Sequence, residues 1–416
     1  MIHWISDNLG TAAFDNARQI SGITVIDVRD LVDKAGNSPE TLKAKIQQAL
    51  ISIDRGEKVV ICCDYGMSRS NAVAAGVWAQ VKGVSLGEAV RYIIETIGEK
   101  NLKIEVLNRV YQAIGKDADQ AEPDREKRIL VTGANGFVGK GLIEQLIKKG
   151  YTVFSPPRGE IDLLHDTVFL NLMVKEKSIG KILHLANPRI YTVNTAMGES
   201  LVMLKNSLDV CVENNVQLIY LSNWEVYSGY RTSSLMADET VPFCPGGSYG
   251  QTKVLCENLI DHYRRQYSVS CLILRSSSVY GIECDRPKFI WNFLNKAREN
   301  REIVTHEYSN GLPSLDLLHV SDLRRGIIMA IDSGLQGSIN FGTGVLTSTN
   351  RVAKQIVKIT DSKSNIKQQP IQGDVGNIKM DISKARLCLG WEPVVAIKNG
   401  LFEIAGGNKN ENISAR

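Results

Sequence analysis

The 416-residue sequence predicts an α/β protein of two units, a short N-terminal one and a longer one built on a doubly wound parallel sheet. Three observations predict this. Short apolar runs of strand type alternate with helical periodicity through residues 1–114, and a charge-dense polar stretch interrupts them at 115–127. The alternation then resumes over a longer span, opening on a glycine-rich turn between a strand and a helix. Short buried strands separated by crossover helices are the pattern of a parallel sheet covered on both faces.

In the first unit the strand-like runs are 23–28 and 59–63, and the helical patterns are 39–52, 70–82, 85–97 and 104–114. Residues 115–127, GKDADQAEPDREK, hold almost no apolar side chain and read as a linker. In the second unit apolar strands are expected at 128–132, 151–155, 181–186, 217–222 and 270–275, with helices between them. The expected organisation is a first domain at 1–114, a linker at 115–127, a second domain at 128–403 and a flexible polar tail at 404–416.

Composition narrows the function classes. Apolar residues make up 43%, enough for more than one core. Lys and Arg (49) barely exceed Asp and Glu (45), so no overall field draws the chain to nucleic acid or an anionic membrane. No apolar run approaches the roughly 18 residues that cross a bilayer, and no basic-then-apolar leader opens the chain. Eight cysteines are scattered without zinc spacing. The expectation is a cytoplasmic protein with reduced thiols, no metal, no nucleic acid and no membrane.

Two motifs carry chemistry. The first, Cys63-Asp64-Tyr65-Gly66-Met67-Ser68-Arg69-Ser70, follows an apolar strand and opens a helix. Such a loop aims several backbone N–H groups at one point, where the helix dipole adds positive potential, so a tetrahedral oxyanion binds. The same field lowers the pKa of Cys63 and favours a nucleophilic thiolate. Arg69 can offer a planar fork to two phosphate oxygens, and Gly66 lets the backbone turn.

This loop resembles the Cys-x5-Arg signature of protein tyrosine and dual-specificity phosphatases, and residues 4–10 and 22–28 resemble the opening strands of the dual-specificity group. The resemblance implies Cys63 as nucleophile, Arg69 as transition-state stabiliser and Ser70 as assistant to the leaving thiolate. It also implies an upstream aspartic acid as general acid; Asp30 and Asp33 both sit at the right remove, with Asp33 preferred by distance. The family's usual His before the nucleophile is Cys62 here. A phosphorylated small molecule or phosphoprotein is the implied partner.

The second motif is Gly133-Ala134-Asn135-Gly136-Phe137-Val138-Gly139, directly after the strand at 128–132. Gly133 permits the tight turn, Gly136 lets a pyrophosphate approach the backbone, and Gly139 lets helix pack on strand. Arg158, past the second strand, suits a 2′-phosphate, so NADP is favoured over NAD. Tyr249 and Lys253 are four residues apart and share a helical face. There the ammonium lowers the phenol's pKa for proton exchange with a substrate hydroxyl or carbonyl.

These motifs, with Val279-Tyr280-Gly281, 316–322 and 381–385 in order, resemble the NAD-dependent epimerase/dehydratase family, the extended short-chain dehydrogenases/reductases, across 128–401. The resemblance implies a Rossmann-type cofactor sheet, a smaller C-terminal portion over a sugar or nucleotide-sugar-like substrate, and a homodimer through helices 200–214 and 249–266. The run 157–163 further resembles the GDP-fucose synthase and dTDP-4-dehydrorhamnose reductase branches, adding Asp162 to the cofactor set. The family's catalytic Ser or Thr falls on Asn223, with Ser222 one step earlier. Asn donates a hydrogen bond but relays no proton. Glu225 coincides with the base of sugar 4,6-dehydratases, yet Trp224 replaces their acid, which disfavours a dehydratase. The functional expectation is a bifunctional protein, a phosphatase-like module joined to an NAD(P)-dependent oxidoreductase or epimerase. The alternative is a regulatory protein that senses phosphate and dinucleotide without efficient turnover.

Overall fold

The computed structural model describes residues 1–34, 36–99, 101–115, 124–188, 193, 195–282 and 288–406. Most of the expected linker (116–123) and most of the expected tail (407–416) lie outside them. The chain divides into two compact units: Met1–Arg128 with Pro157–Gly180 and Asp209–Asn215, and Ile129–Pro156 with Lys181–Leu208 and Val216–Arg416.

The first unit holds strands β1 (His3–Trp4), β2 (Leu9–Ala13), β3 (Thr24–Asp27) and β4 (Val59–Cys63). Their order is β1-β2-β4-β3, with β4 parallel to both neighbours and β1 antiparallel at the edge. The helices are α1 (Phe14–Ala17), α2 (Pro39–Asp54), α3 (Arg69–Lys82), α4 (Leu86–Ile97) and α5 (Ile104–Ala113). Local chemistry starts them where it should. Ser38 caps α2 ahead of Pro39, and Ser85 with Glu88 forms a reciprocal capping box on α4. α3 is buried from Arg69 to Ala79, and Gly76 allows a close crossing, since a Cβ there would lie 2.7 Å from Val110 and 2.8 Å from Ile46.

Helix α7 (Thr167–Glu176), placed in the chain between two strands of the second unit, packs in the first. It is buried through Val168, Leu170, Asn171, Leu172 and Val174. A ladder of buried amides runs through it: Asn171 Nδ2 donates to Asn108 Oδ1 (2.8 Å), and Asn214 Nδ2 donates to Asn171 Oδ1 (2.8 Å). The last residues of the expected linker are also held, as Arg125 donates to the carbonyls of Asn214 (2.5 Å) and Ile179 (3.4 Å). Asn171→Ala strands a buried acceptor on Asn108 and a donor on Asn214, so it should cost about 1–3 kcal/mol. A urea unfolding curve of the full chain, with its midpoint lowered, checks this.

The second unit has a six-stranded sheet built from β5 (Arg128–Thr132), β6 (Thr152–Phe154), β7 (Lys181–His184), β8 (Gln217–Asn223), β10 (Cys271–Ser276) and β14 (Gly337–Phe341). Its order is β14-β10-β8-β7-β5-β6. The pairings β10/β14, β10/β8, β8/β7 and β7/β5 are parallel. The chain runs outward from β5 to β6 and then returns to β7, so the order reverses between β5 and β7, where such sheets place their ligands. Helices α6 (Phe137–Lys148), α8 (Ala196–Asn214), α9 (Ser248–Tyr267) and α11 (Val320–Asp332) follow the strands. Ile129, Val131, Leu183, Ile219, Leu272, Leu274 and Phe341 supply the core, closed by Trp391. A second cluster, with Phe293, Leu317, Val352 and Leu401, forms the C-terminal portion. Among the described residues no helix is long and apolar enough to cross a membrane, and no group of His, Cys, Asp and Glu could hold a metal ion.

Candidate functional site

Each unit presents one site, and both grow from the same element, a tight loop between a parallel strand and a helix. In the first unit β4 ends on two cysteines whose side chains alternate across the sheet. Cys62 Sγ donates to the Ile26 carbonyl (3.6 Å), and burial pushes its thiol up to about 12. Cys63 turns into the loop. Burial pushes that thiol up as well, but hydrogen bonds from Ser70 Oγ and from the N–H groups of Ser70, Met67 and Gly66 outweigh it and hold the pKa below the ordinary thiol value. Gly66 N–H points at Sγ from 3.2 Å and Ser70 Oγ lies 3.4 Å away. Gly66 has φ +74°, and a Cβ on it would lie 2.5 Å from the backbone of Ala12. These hydrogen bonds favour the charged form of the Cys63 sulfur relative to an ordinary thiol, with no His preceding it.

Asp33 reaches this loop and Asp30 does not. Asp33 Oδ2 sits 3.2 Å from Arg69 Nε, whereas Asp30 pairs with Lys45 at 3.2 Å. The Arg69 guanidinium is already engaged in the structure: Nη1 donates to the Leu31 carbonyl (2.7 Å) and Nη2 to Asp64. A buried guanidinium takes the nearest acceptors, and Asp64, one residue past Cys63, supplies one.

In the second unit β5 runs into the glycine loop. Gly133 has φ +69°, and a Cβ on it would meet Ala186 N at 2.7 Å, while one on Gly139 would lie 2.4 Å from the Ala134 carbonyl oxygen. Gly136 precedes α6 in extended conformation, and Gly133, Asn135 and Gly136 are exposed. Phe137 and Val138 form the first turn of α6, where their carbonyls accept from buried Arg324 of α11 at 2.6 and 3.0 Å. Arg324 is a support the sequence reading missed. A helix start without a side-chain cap and a loop with no room for side chains fit a pyrophosphate.

Tyr249 and Lys253 lie on α9, with Lys253 Nζ 5.6 Å from the centre of the Tyr249 ring. Lys253 is buried; it donates to Tyr220 Oη (3.1 Å) and the Leu221 carbonyl (3.0 Å), and burial lowers its pKa to about 8. Gly250 between them is needed, because a Cβ would lie 2.4 Å from the Glu225 carbonyl oxygen. Glu225 is itself raised by burial, with Lys253 opposing the shift.

The two candidates on β8 part company. Ser222 is buried and donates to Glu257 Oε1 (2.5 Å), an oxygen that also accepts from buried Arg275. Asn223 Oδ1 accepts from Glu225 N–H (2.9 Å), capping the short 3-10 turn Trp224–Tyr227. Arg158 and Asp162, which belong to the first compact unit, pair with each other at 3.2 Å.

A sequence model of the NAD dependent epimerase/dehydratase family matches residues 129–342. The chain belongs to that family. A putative UDP-glucose 4-epimerase of Methanocaldococcus jannaschii is 28% identical over 314 residues, covering 68% of this chain and 99% of the relative. UDP-glucuronic acid decarboxylase 1 of Danio rerio is 26% identical over 307 residues, covering 68% and 72%. Among solved structures, UDP-glucose 4-epimerase of Thermotoga maritima with UDP-glucose has the same fold with a TM-score of 0.59 at 24% identity, over 67% of this chain and 97% of that one. UDP-glucose 4-epimerase of Thermus thermophilus with NAD gives 0.58 at 22%, over 67% and 98%. The epimerase/dehydratase match leaves residues 1–128 outside it.

Proposed function

We propose that the second unit is an NAD(P)-dependent oxidoreductase or epimerase acting on a sugar or nucleotide-sugar-like substrate. The observation that carries this reading is Tyr249 on the face of α9 that holds the buried Lys253 cation, in a fold whose glycine loop opens at the sheet's reversal point. Gly133, Asn135, Gly136, Phe137, Val138 and Gly139 would hold the dinucleotide, whose nicotinamide supplies hydride exchange when bound. Relatives solved with NAD and with NADPH support either form. Tyr249 moves the proton of the reacting hydroxyl, and Lys253 stabilises the phenolate. With its oxygen used as a cap, Asn223 offers its amide N–H to a substrate oxygen. We assign homodimer formation to helices 200–214 and 249–266.

The first unit is a Cys-dependent phosphatase-like module for a phosphorylated small molecule or phosphoprotein. Cys63 Sγ attacks phosphorus as the bond to the ester oxygen breaks, and Asp33 gives that oxygen its proton. Water then cleaves the S–P bond, its proton passing to the Asp33 carboxylate, which releases phosphate and restores both the acid and the thiolate, to which Ser70 donates. Two assays on the full chain test the pair of readings: turnover of UDP-sugars, followed by nicotinamide absorbance for net oxidation or reduction and by separation of the product sugars for epimerisation, and phosphate release by wild type against Cys63→Ser. Sugar turnover by either readout together with Cys63-dependent release supports the bifunctional enzyme. Tight binding of both ligands with neither turnover would make the protein a sensor.

A further inference from the structure

The hydrogen bonds of Arg69 narrow what the first unit's cradle can accept. The side chain is only 11% exposed. Its Nη1 is fixed by two main-chain carbonyls, Leu31 at 2.7 Å and Arg29 at 3.3 Å. A guanidinium has two edges that grip an anion bidentately, and with Nη1 committed only the Nε–Nη2 edge is left. Of that edge Nη2 donates to Asp64, whereas Nε, 3.2 Å from an Asp33 carboxylate oxygen, makes no hydrogen bond. A phosphate above Cys63 must take this edge, so Asp64 has to leave it.

What Asp64 meets on leaving decides the ligand. Asp33 and Asp64 are 40% and 50% exposed, so both reach the mouth of the cradle. Two neighbouring cations are engaged elsewhere, Arg29 by Asp27 at 2.7 Å and Lys45 by Asp30 at 3.2 Å. A phosphate dianion bearing only an apolar leaving group would set its charge against a displaced carboxylate with nothing returned. A phosphomonoester that carries hydroxyl groups would return O–H donors to that carboxylate, and charge-assisted hydrogen bonds are the stronger kind. Tyr65, beside Asp64 in the loop and 81% exposed, adds a flat apolar face of the sort that lies against a sugar ring.

Building on the phosphatase-like reading of this unit, we propose that its cradle selects polyhydroxylated phosphomonoesters, sugar phosphates as a class, and that Asp64 sets the selectivity by giving up Arg69 to phosphate and accepting a substrate hydroxyl. The test uses the full chain as wild type, Asp64→Asn and Asp64→Glu. Tungstate binding is measured by calorimetry, and phosphate release is measured from glucose 1-phosphate and from p-nitrophenyl phosphate. Removing the competing charge should tighten tungstate about ten-fold in Asp64→Asn and raise kcat/KM for p-nitrophenyl phosphate by about the same factor. The preference for glucose 1-phosphate should fall about ten-fold or more in that variant and be restored in part by Asp64→Glu. Wild-type and Asp64→Asn proteins that bind tungstate and show the same ratio between the two esters would overturn the role of Asp64. If neither protein bound tungstate, the anion cradle itself would fail, and the selectivity with it.

Discussion

Lys253→Met should lower hydride-transfer turnover by about 10²- to 10⁴-fold and at the same time relieve the second unit of a charge it holds at a cost. Both effects come from burial. The Lys253 ammonium sits out of water with the Tyr220 hydroxyl and the Leu221 carbonyl as acceptors, and its pKa falls from 10.5 to about 8. A lysine whose folded pKa lies below its unfolded value binds protons less well when native. The penalty is full below about pH 8 and is relieved as pH rises from there towards 10.5, a swing of about 3 kcal/mol. The stability of Lys253→Met relative to wild type should therefore be most favourable near neutrality and shrink as the solution is made alkaline. Urea unfolding of both proteins between pH 7 and 10 measures this, and a pH-independent difference would mean that Lys253 titrates as a solvated lysine. In the active protein the same titration sets an upper limb. Turnover should decline above about pH 8 as the cation that stabilises the Tyr249 phenolate is lost.

Features that repeat along the chain were legible in the sequence. The five-residue apolar runs became β4 and β5 at the expected bounds, and the loops after them became tight turns because nothing but glycine fits at positions 66, 133 and 139. Spacing alone put Tyr249 and Lys253 on one face of α9. Features set by tertiary packing were not legible. Strands of three residues, such as Leu235–Ala237, Ser278–Tyr280 and Ile378–Met380, are too short to show alternation. The compact units are discontinuous in the chain because α7 buries Leu170 and Asn171 in the first, and composition carries no trace of that. The pairing of Arg69 with Asp64 was equally hidden, since a motif names the residues of a loop and not the partners its cation takes. Ser222 and Asn223, adjacent on β8, differ in burial. Alternation along β8 buries Ser222 and leaves Asn223 half-buried at the strand's end, a distinction that a period of two could have drawn.

The partner that claims Ser222 leads to the largest expected effect on stability. Glu257 and Arg275 are 3% and 5% exposed, and their side chains meet through contacts of 2.7 and 3.0 Å. Arg275 also donates to Tyr227 Oη (2.6 Å) and the Glu239 carbonyl (3.1 Å), so one guanidinium ties β10 to α9 and to the turn that follows β8. Arginine stays charged at every accessible pH, and it cannot shed its proton when its counter-ion is removed. Glu257→Ala therefore leaves a buried, unpaired cation and should destabilise the protein by about 3–5 kcal/mol. Replacing both residues by apolar ones of similar size, Glu257→Leu with Arg275→Met, removes the charge together with its need for a partner and should recover most of that loss. Urea unfolding of the single and double variants separates the two causes. Recovery in the double variant assigns the cost to the stranded charge, whereas equal destabilisation would assign it to packing around α9. Lys253 lies one turn before Glu257 on the same helix face, so the double variant also asks whether the ion pair is needed for chemistry. A double variant as stable as wild type but slower in hydride transfer would show that the pair holds α9 in the register that Tyr249 and Lys253 require.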